Sequence, residues 1–152
     1  MISKALVVND DDITLFVATK MIQRANFAEE IVTAHNGAEA LAYFERKTLL
    51  KDKYSEKTPE FIFLDLNMPE VSGWDFLEIF STKYASRFPD VRVAILSSSS
   101  DRKEIEELKK YELVLDFIDT PISQEKLADI KKTFHKIKYG RSTFSTGFIH
   151  PN

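Results

Sequence analysis

The sequence predicts an α/β fold in which five parallel β-strands form one doubly wound sheet, with five helices on its two faces. Short apolar runs, such as those at residues 5–8, 61–64 and 91–96, alternate with helical patterns along the chain. This alternation favours a parallel sheet covered by helices. The run at 61–64 is apolar at every position, which is typical of a central strand buried on both faces.

The predicted elements follow one another from the N-terminus. Apolar runs predict strands at residues 5–8, 30–34, 61–64, 91–96 and 114–118. Helices are predicted at residues 13–25, after Asn36-Gly37, from Gly73, from Asp101 and from about Ser123. The Lys-rich stretch at 47–59 lacks clean periodicity and predicts an elongated loop.

Apolar side chains at helical spacing identify the faces that should pack on the sheet. They are Ala38, Leu41 and Phe44 in the second helix and Leu127, Ile130, Phe134 and Ile137 in the last. Trp74 is interpreted as a packing anchor. Asp101 and Glu104 have capping-box spacing at the start of the fourth helix.

Asp65 ends the central apolar run and is followed closely by Pro69. Its carboxylate should therefore lie at the carboxyl edge of the sheet, where open α/β sheets bind ligands. The alternative is that Asp65 caps the turn after the strand. On this residue alone, both interpretations stand.

The first strand also runs into polar residues, namely Asn9, Asp10, Asp11 and Asp12. If the first and third strands are neighbours, Asp10 and Asp65 converge, and their like charges repel unless a hard cation lies between them. Mg²⁺ suits such a site because it takes oxygen ligands and often uses only one or two carboxylates. Capping of the following helix would need only one Asp, so the run of three favours a metal role for Asp10.

Two later strands end in polar residues as well. Ser97 is the first polar residue after the fourth strand, so its hydroxyl should face the same edge and could donate to a phosphoryl oxygen. The fifth strand runs into Asp119, Thr120 and Pro121. The predicted strand ends thus place polar groups at one edge of the sheet.

The order and spacing of these segments resemble the receiver domain of two-component response regulators, a flavodoxin-like fold, over roughly residues 3 to 138. The resemblance implies that Asp65 accepts a phosphoryl group and that Asp10, Asp65 and the carbonyl of Asn67 hold Mg²⁺. It also implies that Ser97 follows the phosphoryl group on activation and that Phe117 is an aromatic residue that switches its rotamer. The Thr120–Pro121 bond is expected to be cis, as it commonly is in this family.

Two positions depart from the family pattern. Asn9 replaces the first acid of the family's pair, which should weaken Mg²⁺ binding, although its oxygen could still act through a metal-bound water. Thr120 replaces the family's lysine, and a hydrogen bond to a charged group contributes roughly 1.5–3 kcal/mol. The alternative to a working receiver is therefore a degenerate one that binds proteins without phosphorylation. A hydrolase of the aspartyl-phosphate type is disfavoured because Asn67 stands where that class usually has a second Asp.

The resemblance implies a histidine kinase or histidine phosphotransfer protein as the donor and a downstream protein as the target, contacted through about residues 101–138. The protein is expected to be no enzyme beyond autocatalysed phosphoryl acceptance. A net charge of −3 does not favour nucleic acid, and the absence of cysteine excludes thiol chemistry. No apolar stretch is long enough to suggest a membrane span, and a cytoplasmic location is expected.

The domain boundaries follow from where the helical pattern stops. Residues 1–140 are predicted to form the receiver domain, and residues 141–152 a C-terminal tail. The Ser, Thr and Gly content of the tail favours flexibility. Its apolar residues Phe144, Phe148 and Ile149 could instead dock on a partner or on the domain itself.

Overall fold

Strands and helices alternate in the structure, which is a computed structural model describing residues 2–50, 58–97, 102–119 and 121–140. The side chains at positions 47–50, 97 and 102 lie outside that description. The elements are β1 (Ile2–Val8), α1 (Asp12–Arg24), β2 (Ala28–Ala34), α2 (Gly37–Leu50), β3 (Phe61–Asp65), α3 (Gly73–Lys83), β4 (Arg92–Ser97), α4 (Arg102–Leu108), β5 (Val114–Asp119) and α5 (Gln124–Gly140).

The five described strands form one parallel sheet in the order β2-β1-β3-β4-β5. After β1 the chain moves outwards to β2 and then returns to β3 on the other side of β1. Residues of α2, α3 and α4 pack on one face of the sheet, and residues of α1 and α5 pack on the other. The predicted doubly wound α/β fold is confirmed.

The core explains why β1 and β3 lie at the centre. Successive side chains of a strand point to opposite faces. Ile62 and Leu64 therefore join the cluster beneath α2, α3 and α4, whereas Phe61 and Phe63 join the cluster beneath α1 and α5. All four are fully buried. Burying a large apolar side chain contributes about 1.5–3 kcal/mol, so β3 anchors both layers.

The predicted packing face of the second helix is wrong at Ala38, which is exposed, whereas Leu41 and Phe44 pack in the core. The four predicted core positions of the last helix and the predicted role of Trp74 are confirmed. Leu127, Ile130, Phe134 and Ile137 are buried beneath α5, and Trp74 packs against the other cluster. Ser123 caps α5, since its Oγ accepts a hydrogen bond of 3.0 Å from the amide of Lys126.

The predicted loop at residues 47–59 is wrong at its start, because α2 continues to Leu50. Lys and Leu have good helix propensity, and Phe44 is fully buried one turn earlier, so the helix has no reason to end at residue 46. Residues 51–57 lie outside the described part of the chain. Strand β2 begins at Ala28, two residues before the predicted start.

Several other predictions fall outside the described residues. These are the Asp101 cap of α4, the Thr120 hydroxyl, the cis form of the Thr120–Pro121 bond, the direction of the Ser97 side chain and the tail at 141–152. None of the helices that the structure describes combines the length and the apolar character needed to cross a membrane.

Glu60 ties several elements together at the amino edge of the sheet. Its carboxylate accepts hydrogen bonds from the amide and hydroxyl of Ser3 at 2.7 and 2.9 Å, and Nζ of Lys138 lies 2.6 Å away. Its backbone carbonyl accepts from the amide of Arg92 at 3.2 Å. Burial alone would raise the pKa of Glu60, but the contacts with Lys138 and Ser3 outweigh it and lower that pKa. Glu60 thus joins β1, β4 and the end of α5.

Helix α3 begins in close contact with the end of β3. The amide of Gly73 donates to the carbonyl of Leu66 at 3.0 Å. A Cβ atom at position 73 would lie 2.4 Å from the carbonyl oxygen of Asp65 and 2.6 Å from Cα of Leu66. Both are backbone atoms, so only glycine fits here without moving the chain.

We expect Gly73→Ala to lower the free energy of unfolding by about 1–3 kcal/mol, because the added methyl group overpacks the end of β3. Urea denaturation of the purified variant measures this change. Gly140→Ala is the matched control, since no described atom lies within 4 Å of a Cβ there. Alanine is the better helix former, so the control should be neutral or stabilised by up to about 1 kcal/mol. Equal stability of Gly73→Ala and the wild type would contradict the close approach.

Candidate functional site

The candidate site lies at the carboxyl ends of β1 and β3. Val8 of β1 is the register partner of Leu64 of β3, so the residues that follow them emerge side by side. This is also where the strand order reverses, since β1 leads outwards to β2 and the chain returns to β3. Ligands of open α/β sheets bind at such switch points.

Asp65 is the last residue of β3 and is half-buried. Burial is the main cause that raises the pKa of its carboxyl group, and the negative charge of Asp10 raises it further. Hydrogen bonds from the backbone amides of Asn67 and Leu66 act in the opposite direction, the first over 3.2 Å to Oδ1. The convergence of Asp10 and Asp65 predicted from the sequence is therefore present in the fold.

The three acids after β1 have different contacts. Asp11 caps α1, because its carboxylate accepts hydrogen bonds from the amide of Thr14 at 3.0 Å and from the hydroxyl of the same residue. Asp12 lies 3.1 Å from Nε2 of His35. Asp10 is the member of the run whose charge acts on Asp65. Asp11 therefore caps α1, while Asp10 lies near Asp65 at the candidate site.

Asn9 is buried at the end of β1 and shapes the turn into α1. Its side-chain Oδ1 accepts a hydrogen bond of 2.9 Å from the backbone amide of Asp11, and its backbone amide donates to the carbonyl of Ala34 at 3.1 Å. An amide oxygen has two lone pairs, so this contact leaves acceptor capacity on Oδ1. The predicted contact of Asn9 with a metal-bound water stays a prediction.

The loop between β3 and α3 carries Asn67 and is fixed at several points. Gly73 holds its far end against β3, and the carbonyl of Val71 accepts a hydrogen bond of 3.1 Å from the amide of Gly37. Ser72 and Asp75 form a reciprocal capping box at the start of α3. Glu70 adopts a φ of 62°, a left-handed conformation that is uncommon outside glycine. These contacts fix the path of the backbone through the loop that contains Asn67.

Sequence reasoning did not identify Val71 and His35 as neighbours of the site. The amide of Gly37 donates to the carbonyl of Val71, whereas the sequence predicts only a turn into α2 at Asn36-Gly37. His35 contacts both Asp12 and Glu39, with its amide 2.8 Å from Oε1 of the latter. The only available signal was that His35 directly follows a strand.

The remaining predicted site residues lie on the far strands. Ser97 ends β4 and is the register partner of Asp119, but its hydroxyl and the whole of Thr120 lie outside the described atoms. Phe117 is partly buried on β5 and packs against the core beneath α2, α3 and α4. Its amide donates to Oδ1 of Asp116 at 2.7 Å. Asn9, Asp10, Asp65 and Asn67 therefore form one group, and Phe117 lies two strands from β3.

An exposed apolar surface adjoins this group on α1. Ile13, Phe16 and Val17 are 75%, 62% and 50% exposed, and residues three or four apart share one side of a helix. Beside them a groove of about 310 Å³ runs between α1 and the start of α5, where Pro121 and Ile122 form part of its wall. We define Ile13, Phe16 and Val17 as the α1 patch.

Comparison with known proteins identifies relatives over most of the sequence. A family model for the response regulator receiver domain matches residues 5–132. The chain is 28% identical over 137 residues to hybrid signal transduction histidine kinase L of Dictyostelium discoideum. It is 31% identical over 118 residues to a protein-glutamate methylesterase/protein-glutamine glutaminase of Archaeoglobus fulgidus. These matches cover 90% and 78% of this chain, but only 7% and 30% of the two relatives.

Solved structures agree with this family assignment. A two component response regulator from Cytophaga hutchinsonii superposes with a TM-score of 0.78 at 24% identity, covering 89% of this chain and 98% of that one. The bacteriophytochrome response regulator RtBRR superposes with a TM-score of 0.67 at 27% identity, covering 86% of this chain and 76% of that one. With a family model that spans most of its length and a strand order that places acids at the switch point, the chain belongs to the response regulator receiver domain family of two-component signalling.

Proposed function

We propose that this chain accepts a phosphoryl group on Asp65 and passes the signal on by protein contact. The observation that carries the proposal is the position of Asp65 at the switch point, half-buried and within the field of Asp10. One oxygen of Asp65 accepts a hydrogen bond from Asn67, and the raised pKa reflects a carboxylate partly withdrawn from water. Such a group is positioned to be a nucleophile toward phosphorus.

The proposed donor is a phosphohistidine of a histidine kinase or a histidine phosphotransfer protein. The name of the Dictyostelium relative, a hybrid histidine kinase, supports that class. In the transfer, an oxygen of Asp65 forms a bond to phosphorus while the bond from phosphorus to the imidazole nitrogen breaks. Catalysis of phosphoryl transfer rests mainly on positioning and charge stabilisation, and the anchored loop between β3 and α3 would supply the positioning.

The residues at the site fit Mg²⁺. Two carboxylates that repel each other offer the hard oxygen ligands that this ion takes, and the backbone amide of Asn67 contacts one of them. We assign Asp10, Asp65 and the carbonyl of Asn67 as its ligands, with Asn9 acting through a bound water. When bound, the ion would neutralise part of the charge on Asp65 and on the incoming phosphoryl group. No cluster of three or more His, Asp or Glu side chains suited to a metal occurs among the described residues.

Three further residues are proposed to respond to the phosphoryl group. Ser97 would donate its hydroxyl to a phosphoryl oxygen, and Thr120 would do the same in place of the family's lysine. Phe117 would report the change through the core that it contacts beneath α3 and α4. Because Thr120 carries no charge, we expect a weaker link between the phosphoryl group and the partner surface than a lysine would give.

The α1 patch is proposed as the surface that receives the phosphodonor protein. It begins at Ile13, three residues after Asp10, so a protein bound there would hold its phosphohistidine beside Asp65. Exposed apolar clusters on soluble proteins commonly mark interaction sites. The groove beside the patch suits an amphipathic helix, which binds through apolar residues three and four positions apart.

The second candidate function is a receiver that binds its partner without phosphorylation. The presence of Thr120 where the family has a lysine favours it. The methylesterase activity named for the Archaeoglobus relative belongs to that protein, of which this chain matches 30%. We do not extend that activity to this chain.

Incubation with Mg²⁺ and acetyl phosphate tests the phosphoacceptor role. We expect intact-protein mass spectrometry to detect one phosphoryl adduct on the wild type and none on Asp65→Asn, which lacks the nucleophile. Thr120→Lys should label at least as fully as the wild type, because the added charge stabilises the product. Labelling of Thr120→Lys but not of the wild type would instead support the phosphorylation-independent module. An adduct that persists in Asp65→Asn would contradict the assignment of Asp65.

The raised pKa of Asp65 predicts a pH-dependent gain in stability for Asp65→Asn. A carboxyl group with a raised folded-state pKa binds its proton more tightly in the folded state. The free energy of unfolding of the wild type therefore falls as the pH rises from the pKa of the unfolded state, about 3.9, through the pKa of the folded state. The variant lacks this fall.

Thermal unfolding in metal-free buffer measures this difference. We expect the Tm of Asp65→Asn to exceed that of the wild type at neutral pH, because the wild-type carboxylate is half-buried and lies near the charge of Asp10. The advantage should disappear at about pH 3, where the carboxyl group is protonated in both states. An advantage of equal size at both pH values would show that charge is not its cause.

Phe16→Ser tests the α1 patch. Loss of a central apolar contact commonly costs more than about 1 kcal/mol of binding, so transfer from a phosphohistidine donor protein should slow by about tenfold relative to labelling by acetyl phosphate. Ile79→Ser is the control, since Ile79 is an exposed apolar residue on α3, outside the patch. If the patch receives the donor, the ratio of the rate of transfer from the donor protein to the rate of labelling by acetyl phosphate falls in Phe16→Ser and is unchanged in Ile79→Ser. An unchanged ratio in Phe16→Ser would contradict this role.

A further inference from the structure

A second pocket lies at the amino edge of the sheet, the edge opposite Asp65. It has a volume of about 460 Å³ between the end of α3, the chain that leads into β4 and the chain that leads into β5. Its apolar wall consists of Phe80, Ala85, Phe88, Pro89, Val91 and Leu113, and its rim also carries the polar residues Ser81, Arg92, Lys110, Tyr111 and Glu112. Pockets that hold small organic groups have volumes of about 300–1,000 Å³ and mostly apolar walls, so this one is large enough for aromatic side chains.

The end of α5 lies close to this pocket. Lys138 contacts the carboxylate of Glu60, and the backbone carbonyl of Glu60 accepts a hydrogen bond from Arg92, which lines the pocket. The charge of Asp90, between pocket residues Pro89 and Val91, also acts on Lys138. The chain beyond Gly140 therefore starts at the same edge of the sheet as the pocket.

We propose that the C-terminal segment, residues 141–152, folds back on its own domain and inserts Phe144 and Phe148 into this amino-edge pocket. The segment contains three large apolar residues, Phe144, Phe148 and Ile149, which nothing in the proposed phosphoryl chemistry uses. The pocket supplies an apolar wall that includes two phenylalanine rings, and aromatic pairs add to the energy of burial. The proposed occupant of the amino-edge pocket is therefore the C-terminal segment of the same chain.

Chain length favours this pocket over the groove beside α1. An extended chain spans at most about 3.3–3.6 Å per residue, so Phe144 can lie up to about 14 Å from Gly140 and Phe148 up to about 29 Å. The α1 groove lies at the other end of α5, because its wall includes Pro121 and Ile122. The 17 residues of α5 separate the two ends by roughly 25 Å at 1.5 Å per residue. Reaching that groove would require almost complete extension of the segment.

Tethering also favours binding within one chain. A short tether gives an effective concentration in the millimolar range, which exceeds that of a second copy in dilute solution. The segment should therefore occupy its own pocket before that of another molecule.

Paramagnetic NMR on the full chain tests the proposal. The sequence contains no cysteine, so Ser145→Cys provides a single site for a nitroxide label between the two phenylalanines. We expect the amide signals of Ala85 and Leu113 to lose most of their intensity when the label is oxidised and to recover when it is reduced. Val17 and Met21, beside the α1 groove, should keep theirs.

Two comparisons complete the test. In the labelled background, Phe144→Ser combined with Phe148→Ser should restore the signals of Ala85 and Leu113, whereas the polar control Thr146→Ala should not. A mixture of labelled unenriched chain with unlabelled ¹⁵N-enriched chain should show no loss. Intensity loss at Val17, no loss at either pocket, or loss in the mixed sample would each overturn the proposal, the last by placing the segment on a second copy.

Discussion

The burial of β3 in both core clusters is the constraint on which the candidate site depends, because β3 holds Asp65 beside the like charge of Asp10. Each fully buried large apolar side chain contributes about 1.5–3 kcal/mol. Phe61 and Phe63 on β3 are both fully buried, so their burial holds the strand that carries Asp65 in place against the repulsion. The core therefore keeps together two carboxylates that would separate in a looser fold.

The contacts of Asp11 and Asp12 leave Asp10 and Asp65 as the pair of carboxylates that repel each other at the site. Asp11 is engaged with the first turn of α1, and Asp12 is engaged with His35 at the end of β2. Asp11 and Asp12 thus have structural contacts, and Asp10 is the residue of the run whose charge acts on Asp65. On the other side of the site, Gly73 prevents the loop after β3 from moving away from the sheet, because its amide bonds directly to Leu66. Contacts outside the site therefore fix the positions of the residues beside Asp10 and Asp65.

Sequence reasoning predicted what depends on local pattern and missed what depends on distant contacts. Local patterns predicted the order of the five described strands and five described helices, and the run of acids after β1 predicted that Asp10 meets Asp65 if β1 and β3 are neighbours, which they are. Residues 47–50 were assigned to a loop because their periodicity is weak, although their propensity and the anchor at Phe44 continue the helix. The roles of Glu60 and of the contact between Gly37 and Val71 could not be predicted, since each joins elements that are far apart in sequence.

The two departures from the family pattern have a common electrostatic consequence. Oδ1 of Asn9 accepts the amide of Asp11, a task that an aspartate oxygen performs equally well. Asn9 therefore preserves the turn into α1 while removing one negative charge from the site. With that charge absent, the repulsion on Asp65 comes from Asp10, and less positive charge is needed to balance the pocket. Replacement of the family's lysine by Thr120 removes one positive charge, so the formal balance is unchanged. A site that loses an anion and a cation together can keep its resting state, while the proposed phosphorylated state would lack the counter-charge that a lysine supplies.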